Sequence, residues 1–151
     1  MHCHVYHEGV GKKGANNVSS LIMKTLIGLN LLCNDDVGGE LDISFDNCSG
    51  QNKNNTVIKL AVWLVELGYF HHFSCSWPHK NAADHLFNSM KKEYLKHNIF
   101  TFEDLVSKYG ESDLVTIHQP NANDFLDYDK LLDGPYRKLS GQIKKESYLY
   151  L

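Results

Sequence analysis

A chain of 151 residues has the length of one ordinary domain, and its 42% hydrophobic and 22% charged composition reads as folded rather than disordered. A formal net charge of −3 removes any global electrostatic reason to hold nucleic acid, so such binding would have to come from local lysine pairs such as Lys91 with Lys92 or Lys144 with Lys145, which are usually solvated surface. No stretch approaches the roughly 20 apolar residues of a spanning helix, no apolar run resembles a signal peptide, and Cys3, Cys33, Cys48 and Cys75 make no C-x-x-C pair, so free thiols in a reducing, intracellular setting are expected.

The opening HCHVYHEG alternates through Val5 and Tyr6 and predicts a short strand ending near Glu8. Gly11 and Gly14 supply a turn, after which Asn16 or Asn17 can cap a helix carrying Val18, Leu21, Ile22, Leu26, Leu29 and Leu32. Asn34 and the DDVGG turn are expected to end it. The alternation Leu41, Ile43, Phe45 predicts a strand over residues 41–46, and the stripe Val57, Leu60, Ala61, Leu64, Val65 a helix over residues 53–67 that stops at Gly68. Residues 69–77 alternate as a strand closed by Pro78, and Asn81 opens a helix with Ala83, Leu86, Phe87, Met90 and Tyr94 on one face. Thr101 with Asp104 forms a capping-box pattern, residues 115–117 suggest a short strand, and Asn123 can cap a helix through Phe125, Leu126, Leu131 and Leu132 that Gly134 and Pro135 end. The tail, residues 142–151, alternates loosely as a late strand.

This order of strand, helix, strand, helix, strand, helix is that of an α/β fold. Right-handed crossover makes strands 41–46 and 69–77 parallel neighbours bridged by helix 53–67. The order matches the second half of a ribonuclease H-like core. The expected architecture is therefore a single partial ribonuclease H-like domain over residues 1–151, with its core at residues 1–98, an extension at residues 99–151, and two strands missing upstream.

The chemistry concentrates in FDNCSGQNKNN, residues 45–55. Asp46 ends a strand, at the carboxyl edge where open α/β sheets keep their ligand sites. Asn47, Gln51 and Lys53 fill the polar loop that follows, and Lys53 and Lys80 each lie where a helix begins and a phosphate would meet free amides. The loop is no P-loop, because GxxxxGK[ST] is absent.

Four blocks carry a wider likeness: HEGVGKKGANNVSS from His7, DNCSGQNKNN from Asp46, KNAADHLFNSMKKEY from Lys80 and IFTFEDLV from Ile99. Together they resemble an uncharacterised family of domains of unknown function found in transposon-derived eukaryotic proteins, with a ribonuclease H-like or integrase-like look. The likeness covers most of residues 4–110 and is most specific in DNCSGQNKN. It departs at Trp77, Pro78, His79 and Lys80, where the family writes Gly-His-Thr-Lys. What the resemblance implies is a lineage more than a reaction. By analogy with integrase-like transposases, it makes Asp46 the carboxylate after the fourth strand and Asp84 the one on the late helix, with the first acid upstream of Met1.

Phosphodiester chemistry of that kind needs carboxylates close enough to hold two divalent ions about 4 Å apart, and Mg²⁺ or Mn²⁺ would fit. Asp46, Asp84 and, as a third acid, Glu8 are the candidate metal ligands, with Asp46 and Asp84 the catalytic pair and DNA the partner. Each has a plainer reading: Asp46 as an Asx-turn residue, Asp84 as a complement to its helix N-terminus, Glu8 as a solvated strand end. His2, Cys3, His4 and His7 invite a zinc reading in which His2 and His4 share a strand face, but no complete tetrahedral set is visible. Cys48 with His79 or His85 suggests a thiol nucleophile that nothing orients. The leading expectation is a transposase- or integrase-type fragment, inactive alone, intracellular with the nucleus as one option. The competing one is a non-catalytic binding or scaffold module.

Overall fold

The computed structural model describes residues 2–32, 39–45, 54–76, 82–113, 115–137 and 148–150. In chain order its elements are β1 (His2–His4), α1 (Ala15–Gly28), β2 (Gly39–Ser44), α2 (Asn55–Glu66), β3 (Phe70–Ser76), α3 (Ala82–Tyr94), α4 (Phe102–Gly110), β4 (Thr116–His118), α5 (Tyr128–Asp133) and β5 (Tyr148–Tyr150), with a 3-10 turn at Ala122–Asp124. They fall into two compact units. The smaller joins Met1–Lys12 to Lys80–Ala122, and the larger joins Lys13–His79 to Asn123–Leu151.

The larger unit is built on a mixed sheet in the order β2-β3-β5. As the crossover argument requires, β2 and β3 are parallel, with Leu41 opposite Phe73 and Ile43 opposite Cys75, and α2 is the connection between them. The late strand β5 pairs antiparallel with β3, Cys75 opposite Leu149. Alternation sorts the faces. Leu41, Ile43, Phe45, Phe73 and Cys75 join the core, where α2 contributes the fully buried Val57, Leu60, Ala61 and Leu64. Along the other face Ser44 Oγ meets Ser76 Oγ at 2.9 Å, Ser74 donates to Asp42, and Glu40 approaches His71. Leu26 from α1 and Tyr128 and Leu132 from α5 complete the core.

Helices α1 and α2 each end on a left-handed residue. After α2, Gly68 has φ +77, its N–H donates to Val65 O and that of Tyr69 to Leu64 O, which is the Schellman closure expected there. After α1 the same closure comes earlier than Asn34: Asn30, at φ 57, donates to Ile27 O while Leu31 donates to Leu26 O. Asparagine tolerates this conformation better than other residues with a β-carbon. Leu29 and Leu32 therefore lie beyond the helix.

In the smaller unit β1 pairs in parallel with β4, His2 opposite Thr116 and His4 opposite His118. The opening strand is shorter than its alternation suggests, because Val10 N donates to His7 O and turns the chain before Glu8 can extend it. Its described partner is β4 rather than a strand of the β2–β3 sheet. On the inner face Cys3 and Val115 are buried with Met90 of α3, backed by Leu86, Tyr109 and Ile117. Helix α4 begins at the expected capping box, with Asp104 N donating to Thr101 Oγ1 at 3.0 Å and Thr101 N donating to Asp104 Oδ2 at 3.0 Å.

Candidate functional site

The carboxyl edge of the β2–β3 pair is the candidate site, and its described margins are firmly held. Phe45 is buried, and its N–H donates to Ser76 O at 2.8 Å, which continues the ladder one residue past β2. Asp46 is the next residue. At the far end of the intervening segment, Asn54 caps α2 by accepting from Thr56 N at 2.9 Å. Residues 46–53 thus run from the end of a parallel strand to the N-terminus of its crossover helix. Asp46, Asn47, Gln51 and Lys53 themselves, with Cys48, lie outside the described residues, as do His79 and Lys80. The expected approach of Asp46 to Asp84 therefore also falls outside the description. Asp84 sits in the first turn of α3, and Glu8 in the exposed turn after β1.

Beside the start of α2 lies a polar seam that the sequence did not announce. Asn16, in the first turn of α1, donates through Nδ2 to Asp127 Oδ1 at 2.9 Å and accepts from Asp129 N at 2.8 Å. Asp129 in turn accepts through its carboxylate from Thr56 Oγ1 at 2.7 Å, so the N-terminal ends of α1, α2 and α5 meet at one residue, whose backbone N–H serves α1 and whose side chain serves α2. Asp127, not Asn123, is the cap of α5, accepting from Lys130 N. Asn123 falls within the 3-10 turn instead, and Phe125 and Leu126 precede the helix. One turn along α2, Lys59 is 3% exposed and donates to Asp133 Oδ1 at 2.8 Å. Three polar atoms at the same helix starts, Asn17 Nδ2, Ser19 Oγ and Asn55 Oδ1, are buried without a hydrogen-bond partner. Sequence reasoning missed this seam, although one signal was present: a lysine within a helix that is apolar nearly all round needs an acidic partner.

The other chemistry-bearing groups separate rather than gather. Cys3 and Cys75 are free, buried thiols, Cys75 pushed by burial up to about 12 and Cys3 raised by the same cause, which makes both poor nucleophiles. The zinc quartet divides: Cys3 faces the core, and His7 stacks edge-on against Phe102 and accepts from Gly9 N through Nδ1. In the smaller unit an open pocket of about 210 Å³ is lined by Tyr94, His97, Lys108, Tyr109, Glu111 and Ser112. It is smaller than the roughly 300–1,000 Å³ of ordinary ligand pockets, and its lysine is already paired with Glu111 at 2.8 Å. Burial raises the Tyr109 phenol, with Tyr94 and Cys3 adding to the shift. Among the described residues no helix is long and apolar enough to cross a membrane, and no three His, Cys, Asp or Glu side chains stand ready to hold a metal.

No curated protein and no solved structure matches the chain. A sequence model described as "Domain of unknown function (DUF7869)" matches residues 3–150, and the chain belongs to that family.

Proposed function

We propose that this chain is a ribonuclease H-like domain of transposon origin, descended from a transposase or integrase that cut or joined DNA with Mg²⁺ or Mn²⁺, and that by itself it binds DNA without cutting it. In this reading Asp46 and Asp84 are the inherited catalytic carboxylates, Glu8 a third metal ligand, and Asn47, Gln51, Lys53 and Lys80 the contacts to phosphate. The observation that carries it is the parallel β2–β3 pair with α2 as its crossover, in which β2 ends two residues before Asp46. A carboxylate there belongs to the edge at which open sheets present ligands, and the amides at the start of α2 favour an anion. Two acids can hold a hydrated Mg²⁺ weakly, but positioning both the attacking and leaving oxygens takes a further ligand group.

A second reading, a non-catalytic scaffold, is favoured by the seam at the helix starts, where Asp127 and Asp129 are engaged in tying α1, α2 and α5 together. One experiment separates them. The purified chain is incubated with single- and double-stranded DNA and Mg²⁺ or Mn²⁺, and binding is followed by fluorescence anisotropy across a salt series, beside Asp46→Asn, Lys53→Ala and Lys80→Ala. The proposal expects no cleavage and salt-dependent binding, with each lysine substitution lowering the salt slope by about 1. Binding that neither salt nor the lysines affect would leave the scaffold reading. Metal-dependent cleavage abolished by Asp46→Asn would show the chain to be an active nuclease.

A further inference from the structure

Three imidazoles converge on the outer face of the β1–β4 pair. His2 and His4 are two residues apart on β1 and so share a face, while Cys3 between them turns into the core with Met90 and Val115. His118 stands opposite His4 in the register of the parallel pair, which sets its ring beside both. The His2 and His118 rings stack with centroids 5.0 Å apart, and the His4 and His118 rings lie 5.1 Å apart. His2 Nδ1 and His118 Nε2 are 2.8 Å from each other, a hydrogen bond in which one ring donates and the other accepts through its lone pair.

We propose that this trio is a binding site for a transition-metal cation of the zinc, nickel or copper(II) class, with His2 and His118 as its primary ligands and His4 as the third. A lone pair on a neutral imidazole is what such ions take, and imidazole suits them where carboxylate and water suit magnesium. The ion takes the place of the proton between the two nitrogens, and the ring that donated it changes tautomer, its other nitrogen taking up a proton from solvent as this one leaves, so that both rings bind as neutral imidazoles. Two nitrogens bound tetrahedrally at about 2.0–2.1 Å stand about 3.4 Å apart, so the pair must open by only about 0.6 Å, within the reach of small side-chain rotations. The rings now meet by faces and by a hydrogen bond, not in coordination geometry, which is why no ready-made ligand cluster is present among the described residues. This site is independent of the carboxylates proposed for phosphodiester chemistry. It lies wholly in the smaller unit and uses a different class of metal.

The test is titration of the 151-residue chain, with its histidine rings labelled with ¹⁵N, by ZnCl₂ and separately by MgCl₂, followed through the ring nitrogens. At one equivalent of zinc the signals of His2, His4 and His118 should shift first, while magnesium leaves them in place. His118→Gln should weaken zinc binding at least tenfold. His2→Gln, at an exposed position whose loss spares the fold, should do the same. Zinc that first shifts other histidines, or that binds His2→Gln as tightly as the parent chain, would overturn the proposal.

Discussion

Lys59 gives the sharpest test of how the larger unit is held together. Its ammonium sits on a helix whose neighbouring residues, Ile58, Leu60 and Ala61, are 2% exposed or less, and it reaches Asp133 at 2.8 Å. The two partners are unequal: the lysine side chain is 4% exposed and the aspartate 55%. Asp133→Ala leaves a buried cation without its counter-ion, whereas Lys59→Met leaves a carboxylate that water can solvate. Breaking a fully buried pair costs about 3–5 kcal/mol, and a hydrogen bond to a charged group contributes about 1.5–3 kcal/mol. The half-exposed aspartate places Asp133→Ala near the lower range, at about 2 kcal/mol, which for a chain of this length corresponds to roughly 4–8 °C in Tm. Lys59→Met should stay within about 1 kcal/mol of the parent, because a methionine fills the volume of the lysine stem without a charge to desolvate. The double variant should be no less stable than Lys59→Met alone. Urea unfolding followed by tryptophan fluorescence reads this, since Trp63 lies on the same helix and packs against the same core. Equal losses from the two single substitutions, with no coupling between them, would refute the argument that the lysine is the desolvated partner.

Gly68→Ala should destabilise the larger unit by about 1–2 kcal/mol, because a φ of +77 brings a new β-carbon toward the following carbonyl even though open space surrounds it; an unchanged urea midpoint would show that the turn relaxes at no cost. Asp104 is held below the ordinary carboxylate range by accepting from Phe100 N, then from the Thr101 hydroxyl and Thr101 N. A group whose folded pKa is lowered contributes stability above its unfolded value, near about 3.9, and loses it as pH falls through the lowered folded value. Hydrogen-exchange protection of the first turn of α4 should therefore drop below about pH 4. In Asp104→Asn that step should vanish, and its persistence would assign the titration to another group.

What the sequence determined alone was local, and it was legible where one residue's chemistry suffices. The capping box at Thr101 and Asp104, the glycine stop at Gly68, and the inward alternation of Leu41, Ile43 and Phe45 each encode a backbone conformation or a buried face within a few residues. The parallel pairing of β2 with β3 was legible too, because a helix between two strands leaves a parallel crossover as the simplest connection. Tertiary structure decided the rest. Periodicity says that a strand has a buried face, not which strand lies beside it, so β1 found its partner in β4, and His2 met His118 across 116 positions. The seam was hidden for the same reason: Asn16 and Asp127 are 111 residues apart, and neither looks unusual without the other. Asp127 took the capping role that Asn123 was read to have because Asn16 and Thr56 meet the α5 backbone and side chains at that turn and fix where the helix begins. A polar residue's partner is a property of the folded surface facing it, and only assembly of the helices supplies that surface.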